Sequence, residues 1–478
     1  MKIQRVAVRA FSDSPIIRCK NSLWRFVAML GSVQRGAFAA RSRFMVPGSR
    51  TAWKNLLTSD SITPDALKGL KTDRSIAIAR FAMEHSKFYS DFYHGHGFSV
   101  GDLKDPAAFY ELPLTTKELL RENFDSIVSD ERTVANSVLS VSSGSTGQPL
   151  KMYRDLRVPA RAFEWRLQNW WGLEPWMSTA VIDRHYRTKS AHWKQQLLWW
   201  PAGRIQLDTF DISDQAVRKF AHAWQRNKPE FLIGYIGGIL ALTRIAAEKG
   251  IFLARPKAVA VTAGPLSQAQ RVEIEEYFDA PVYDHYRTTE ANWIAGECQE
   301  QSGLHTFDDI KNVEIVQDGL PVLDDRDGEL VVTDFDNRVF PIIRYQLGDV
   351  ASRIDGPCAC GRPHNRISQV RGRTSDFLVL PSGKVILGGL TGLYAGADVY
   401  VRQFQIHQEQ DYSIVVRCLL SEHPDAVQVA QSRLAGLRAN VGSEAAVRLE
   451  IVQAIAPQGG KFRFITSDVR GSTSTVPR

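Results

Sequence analysis

Between Phe231 and Tyr286 short segments of two different periodicities follow one another almost without interruption, and this run restricts the fold more than any other feature. Phe231–Gly234, Ala258–Thr262 and Val282–Tyr286 are brief apolar runs of strand length. Ile239–Ala247 and Gln268–Phe278 repeat apolar residues at helical spacing. Strands separated by helices are joined by crossovers that run over a sheet face, so they lie parallel with helices on both sides. Upstream, Trp53–Asp130 reads as helices. Ile76, Ile78, Phe81 and Met83 mark one of them, and a turn at Leu112–Pro113 precedes another at Lys117–Asn123. Val134–Val141 reads as a strand. Residues 311–375 read as short strands with Asp/Gly turns. Beyond Asp376 a separate strand–helix–strand pattern is centred on Ile406, Val415, the Val427–Leu437 helix and Leu449. The expected architecture is α/β: a basic arm (1–50), a large domain of mixed, largely parallel sheets covered by helices (51–375), and a small mobile α+β domain (376–478).

Charge separates the arm from the rest. The chain carries 59 Lys+Arg against 52 Asp+Glu, a net +7. Residues 1–50 hold ten basic residues against Asp13 alone, so the arm carries +9 and the remainder −2. A nucleic-acid footprint needs a basic face on the body, and none is indicated. A 44% hydrophobic and 23% charged composition excludes a disordered or collagenous chain. Five cysteines, an odd number in a long chain, argue against a secreted disulfide framework. No apolar run approaches the ~18 residues of a membrane-spanning helix, and the N-terminus lacks a secretory h-region. The expected compartment is the cytoplasm. Within the arm, Leu23, Phe26, Val27, Leu30, Val33 and Ala37 recur at helical spacing. Such a basic amphipathic helix either lies on an anionic membrane through residues 1–45, packs on the body, or serves as an organellar presequence.

The strand at 134–141 runs into Ser142-Ser143-Gly144-Ser145-Thr146-Gly147-Gln148-Pro149. Hydroxyls and backbone N–H groups in a glycine-bearing loop can wrap phosphate oxygens, although a surface linker has the same composition. The loop lacks the G-x-x-x-x-G-K-[ST] pattern of a Walker A motif.

Four further segments follow in order: Tyr286-Arg287-Thr288-Thr289-Glu290, Arg344-Tyr345-Gln346-Leu347-Gly348-Asp349, Arg371-Gly372-Arg373-Thr374-Ser375-Asp376, and Gly459-Gly460-Lys461. Their order and spacing resemble the adenylate-forming (acyl-CoA synthetase) superfamily over residues 70–470. Glu297-Cys298 and the Cys-Ala-Cys-Gly-Arg at 358–362 are similar to its phenylacetate-CoA ligase branch, which includes CapK-like relatives. The resemblance implies an enzyme that joins a carboxylate to the α-phosphate of ATP, expels pyrophosphate and passes the acyl group to coenzyme A. It also implies roles. Residues 142–147 take the β- and γ-phosphates, Glu290 holds Mg²⁺, and Asp349 accepts from the ribose hydroxyls. Lys461 stands between carboxylate and α-phosphate, Arg373 touches the nucleotide, and Asp376 is the hinge of a swinging C-terminal domain. Ala263-Gly264-Pro265, Tyr235-Ile236-Gly237-Gly238, Tyr286 and Thr289 match segments around the adenine and acyl pockets. The plain alternatives are a helix cap for Glu290, a turn for Asp349 and a solvated lysine for Lys461. Two other functions stay open: transfer to an amine or hydroxyl in polysaccharide biosynthesis, and a non-catalytic membrane-associated scaffold.

Two positions depart from the resembling pattern. Arg287 replaces the glycine that follows the tyrosine, and Gln148 replaces a lysine near the end of the phosphate loop. Seven of the eleven tryptophans fall between Trp165 and Trp200, and Arg184, His185, Arg187, Lys189, His192 and Lys194 lie among them. These rings either line a pocket for an aryl or fatty carboxylate or pack a helix. The basic stretch either meets coenzyme A phosphates or an anionic saccharide, or is a solvated loop. Finally, Cys298, His305, Cys358 and Cys360 offer three sulfurs and one imidazole, a closed tetrahedral set for structural Zn²⁺. Similar positions occur in zinc-bearing relatives of the resembling branch. The alternative is reduced cysteines in a turn. Cys19 and Cys418 have no such company.

Overall fold

The computed structural model describes residues 32–141, 150–183, 202–209, 211–322, 324–370, 378–382, 385–386, 393–394, 397, 399–455 and 465–469. A hairpin of β1 (Ser137–Val141) and β2 (Lys151–Asp155) precedes the main sheet. Two strands that the sequence reading did not mark, β3 (Thr179–Asp183) and β4 (Arg204–Asp208), are followed by the expected β5 (Phe231–Tyr235), β6 (Ala258–Thr262) and β7 (Val282–Thr288). They pair in parallel in the order β4-β3-β5-β6-β7. Next come β8 (Asn292–Glu297), β9 (Leu304–Thr306), β10 (Lys311–Gln317), β11 (Leu320–Pro321), β12 (Asp327–Asp334), β13 (Tyr345–Ile354) and β14 (Arg366–Ile367). These extend the same twelve-stranded sheet antiparallel, in the order β7-β8-β9-β14-β13-β12-β10-β11. Within this sheet parallel pairing is confined to the five strands from β3 to β7. Short connections such as the Asp318–Gly319 turn have no length for a crossover, so the strands they join run antiparallel.

Helices cover both faces. Asp214–Asn227, Ile236–Glu248 and Gln268–Phe278 bury Trp224, Leu240, Ile274 and Phe278 against Leu232, Val259 and Val282. The Ala160–Trp170 helix packs Phe163, Leu167 and Trp170 with Tyr283, Trp293 and Phe307. Here the backbone of β8 comes so close that a Cβ on Gly296 would lie 2.5 Å from Leu167 Cδ2, which only glycine avoids. The Pro64–His85 helix, capped by the Thr63 hydroxyl and opened by proline, packs Phe81 and Met83 into a third core with Leu330 and Phe340.

The arm's described end is helical at 32–45 and rests on the body. Phe38 is 2% exposed, 5.0 Å from the Trp165 ring and 5.6 Å from Trp176. Val33 of the expected apolar stripe is half exposed, and the buried face runs through Phe38 and Ser42 one turn apart. Leu23, Phe26, Val27, Leu30 and Cys19 lie outside the described residues.

After residue 377 come β15 (Leu378–Val379), β16 (Val385–Ile386), β17 (Val401–Gln408), β18 (Ile414–Leu420), β19 (Val447–Ile451) and β20 (Ile465–Ser467). The last four form a separate sheet, β19-β18-β17-β20, and β15 and β16 pair with each other. The Ala426–Val441 helix, a little longer than the expected 427–437, buries Leu434 and Leu437 on Ile406, Val416 and Cys418. These residues have a core of their own.

Candidate active site and metal centre

The carboxyl ends of β5, β6 and β7 lie side by side, the place where open parallel sheets bind ligands. Ala263 and Gly264 directly follow β6, and Ala263 holds φ +67, a left-handed conformation that costs a non-glycine residue about 1–2 kcal/mol. Tyr286, near the end of β7, donates its hydroxyl hydrogen to Asp349 Oδ2 at 2.5 Å. Asp349 is buried in β13 and follows Gly348 at φ +72. Three strands separate β7 from β13 in the sheet, so this bond joins two of the sequence segments across the fold. Thr289 and Glu290 occupy the turn after β7, which is closed by the Ala291 N–H donating to Thr288 Oγ1 at 3.0 Å. Glu290 is half-buried and electrostatically coupled to Arg154 of β2. Arg287 places its guanidinium 5.2 Å from the Trp293 ring centroid, whereas Tyr286 reaches Asp349.

Ala263 and Gly264 therefore follow the end of β6, Tyr286, Thr289 and Glu290 lie at and just beyond the end of β7, and Asp349 lies in the middle of β13. Ser142, Ser143, Gly144, Ser145, Thr146, Gly147 and Gln148 lie outside the described residues. So do the basic stretch at 184–194, Arg373, Asp376 and Lys461.

The four expected metal ligands converge. The ligand atoms of Cys298, His305, Cys358 and Cys360 all lie within 4.8 Å of one another. Cys298 Sγ and Cys358 Sγ are 3.7 Å apart, and Cys360 Sγ is 3.3 Å from His305 Nε2. A tetrahedron with Zn–S bonds of ~2.3 Å has an S···S edge of about 3.8 Å, so the cluster has the spacing to hold a metal ion of that size. The His305 Nδ1–H donates toward the His364 carbonyl at 3.3 Å, which leaves Nε2 for a metal. Burial pushes the His305 pKa down to about 4, so its ring is neutral at pH 7, and pushes the Cys298 thiol up to about 12. Two sheet contacts build the cluster. Cys298 directly follows β8, and the β9–β14 ladder pairs His305 with Arg366 beside the loop that carries Cys358 and Cys360.

Two buried charge networks escaped the sequence reading. Arg344 opens one of the quoted segments but is a buried framework residue. Its guanidinium grips Glu314 at 3.1 and 2.9 Å and also donates to the Leu112 carbonyl. Arg166, fully buried, donates to Asp60 at 2.9 Å, to Asp309 at 2.8 Å and to His364 Nε2 at 2.6 Å, and Trp170 Nε1 donates to Asp60 at 2.7 Å. Burial alone would raise the Asp60 pKa. The Arg166 charge, the Arg166 hydrogen bonds and the neighbouring His364 outweigh it and hold it at about 2. This network ties the Ala160–Trp170 helix to the loop beside the metal cluster.

The described tryptophans of the 165–200 group are packing residues. Trp165 meets Phe38 and Trp53, Trp170 meets Phe307 edge-on at 5.6 Å, and Trp171 stacks on Tyr283 at 5.5 Å. Trp193, Trp199 and Trp200 lie outside the described residues.

No family model matches the chain. Protein CapK of Staphylococcus aureus is 21% identical over 412 residues, covering 84% of this chain and 89% of that protein. Phenylacetate-coenzyme A ligase of Escherichia coli (strain K12) is 24% identical over 349 residues, covering 67% and 74%. Among solved structures, 2-hydroxyisobutyryl-CoA ligase in the postadenylation state superposes with a TM-score of 0.68 at 18% identity, covering 86% of this chain and 91% of that one. The fold is thus that of a two-domain adenylate-forming ligase. With the sequence similarity to CapK and phenylacetate-coenzyme A ligase, this fold supports membership of the adenylate-forming acyl-CoA ligase superfamily.

Proposed function

We propose that this chain is an ATP-dependent ligase that activates a carboxylate as an acyl-adenylate and then passes the acyl group to coenzyme A. The observation that carries the reading is the Tyr286–Asp349 hydrogen bond. It sets a carboxylate able to accept from two ribose hydroxyls against the ends of the parallel strands. In the first step the carboxylate oxygen attacks the α-phosphorus and the bond to pyrophosphate breaks. In the second the coenzyme A sulfur attacks the acyl carbon and AMP leaves. Negative charge develops on both phosphorus-bound groups, so donors and cations aimed there lower the barrier. We assign residues 142–147 to the β- and γ-phosphates and Ala263, Gly264, Tyr286 and Thr289 to the nucleotide and acyl walls. Asp349 takes the ribose, Arg373 the nucleotide, Lys461 the α-phosphate, and Asp376 the hinge between a 51–375 body and a 376–478 lid. Glu290 would hold Mg²⁺, which neutralises the phosphate charge. Cys298, His305, Cys358 and Cys360 fit a structural Zn²⁺ remote from the chemistry.

The similarity to CapK over most of the chain supports a second acceptor, an amine or sugar hydroxyl, in place of the thiol. Any aryl preference must come from outside Trp165, Trp170 and Trp171, which packing consumes. We place the enzyme in the cytoplasm. No helix among the described residues is long and apolar enough to cross a membrane.

Pyrophosphate release measured over a carboxylate panel with ATP and Mg²⁺, with and without coenzyme A, tests the reading. Carboxylate-dependent release is expected, and folded protein that releases none with any carboxylate overturns it. Tyr286→Phe removes the bond that orients Asp349. It is expected to raise the KM for ATP about tenfold, as for a hydrogen bond to a charged group, with kcat within about twofold. A fall in kcat at unchanged KM would contradict a positioning role.

A further inference from the structure

Building on the adenylation reading, we infer that the carboxylate substrate carries a long apolar chain, which lies in the cavity along the outer faces of the Ile236–Glu248 and Gln268–Phe278 helices. That cavity measures ≈ 1230 Å³, beyond the roughly 300–1,000 Å³ of an ordinary small-molecule pocket. Its floor is one stripe from each helix, Gly237, Ala241 and Arg244 on the first and Gln268, Val272 and Glu276 on the second. Val399 and Ile455, from the residues after 377, line it as well. Lining residues run from Gly237 to Ala247, which spans about 15 Å at 1.5 Å of helix rise per residue. An extended alkyl chain of roughly twelve carbons, with C–C bonds of about 1.5 Å, has that length. One end meets the candidate active site. Gly237 lies two residues beyond β5 and Thr209 directly follows β4, both at carboxyl ends of the parallel strands. Ile236 approaches the loop after β6 so closely that a Cβ on Gly264 would lie 3.0 Å from its Cγ2. A Cβ on Gly237 would meet no heavy atom within 4 Å, so the cavity is open at this end.

The chemistry of the lining selects the chain. Polar side chains of the floor are already engaged with the protein. Arg244 donates to the two Glu273 oxygens at 2.6 and 2.9 Å, the Thr243 hydroxyl to the Ile239 carbonyl at 2.9 Å, and the Tyr277 hydroxyl to the Ile251 carbonyl at 2.6 Å. The floor therefore offers a ligand chiefly hydrocarbon, from Ile212, Leu240, Ala241 and Val272. The charged residues of the lining are Arg244, Arg402, Glu273 and Glu276, two of each sign. No excess positive charge awaits a second carboxylate or the phosphates of coenzyme A, and Gln403, Ser421 and Gln453 on the other wall are uncharged. Val272 and Val399 are 39% and 68% exposed, apolar surface that a chain lying between them would cover. A benzoate-sized acid would leave most of this volume to water. A long alkyl chain removes its own methylenes and these side chains from water together.

The test compares butyrate, octanoate and dodecanoate in the pyrophosphate-release assay, using wild type, Ala241→Trp and Val272→Asp. Direct binding of dodecanoate is measured by calorimetry in parallel. Wild type is expected to favour dodecanoate over butyrate in kcat/KM by about a hundredfold or more, since each fully buried methylene is worth about fourfold. Ala241→Trp fills the cavity midway and should cut kcat/KM for dodecanoate by about tenfold or more, with butyrate within about twofold. Val272→Asp, a change at an exposed position, should do the same by setting a charge against the chain. Equal use of the three acids by wild type overturns the inference. So does a chain-length preference untouched in Val272→Asp, or a loss equal for all three acids in that variant when folded. A KM rise confined to coenzyme A would give the cavity to the thiol and overturn it too. If no carboxylate releases pyrophosphate, the adenylation reading fails by itself. Dodecanoate binding lost in Val272→Asp would still uphold the chain site, and wild type that binds no dodecanoate would refute it.

Discussion

Cys360→Ser protein is expected to lose about one zinc per chain by elemental analysis and to unfold at a clearly lower temperature, while substrate preference stays unchanged. In small isolated sites structural zinc supplies about 10–16 kcal/mol of apparent folding free energy. Here β8, β9 and β14 are already paired in the sheet, so the metal adds a fraction of that, on the order of several kcal/mol. The effect should spread through a defined path. Metal loss frees the loop bearing Cys358 and Cys360, whose neighbour His364 takes part in the buried Arg166 network. Chelation of the wild-type protein should give the same lowered transition. Metal-free protein with wild-type stability would remove zinc from the account.

Lys461→Ala is expected to depress adenylate formation by about 10²–10³, the usual cost of removing one preorganised charge-stabilising group. Thioester formation from preformed acyl-adenylate should stay within about twofold, because the phosphorus chemistry is already complete when the thiol attacks. Single-turnover assays of each half-reaction separate the two. Equal loss in both would assign Lys461 to nucleotide binding in general and not to the α-phosphate.

Much of the scaffold around the site was legible in the chain. The strands at 231–235, 258–262 and 282–288 and the helices between them fall where apolar period and segment length put them, because burying one stripe or two sheet faces is a local demand on sequence. The metal set was legible as residue types, since three thiols and an imidazole suit few purposes besides a soft metal. Their convergence was not written in the spacing. It arises because β9 pairs with β14, which brings His305 beside a loop more than fifty residues away.

The remaining features depended on partners that no local pattern announces. Arg166 reads as an ordinary arginine on an amphipathic helix, yet its partners lie 106, 143 and 198 residues away. The tryptophan group read as either pocket or packing, and for Trp165, Trp170 and Trp171 the docking of Phe38, Phe307 and Tyr283 decided for packing. By itself the sequence determined the helix–strand alternation, the basic arm, the residue types able to bind a ligand and the order of the segments that resemble those of adenylate-forming ligases. Only the tertiary structure decided which charges are buried together, that Tyr286 meets Asp349, and that Arg287 lies on Trp293. The reason is range: hydrophobic periodicity acts within a turn or a strand. Ion pairing and metal geometry act through space between segments whose adjacency is set by sheet order.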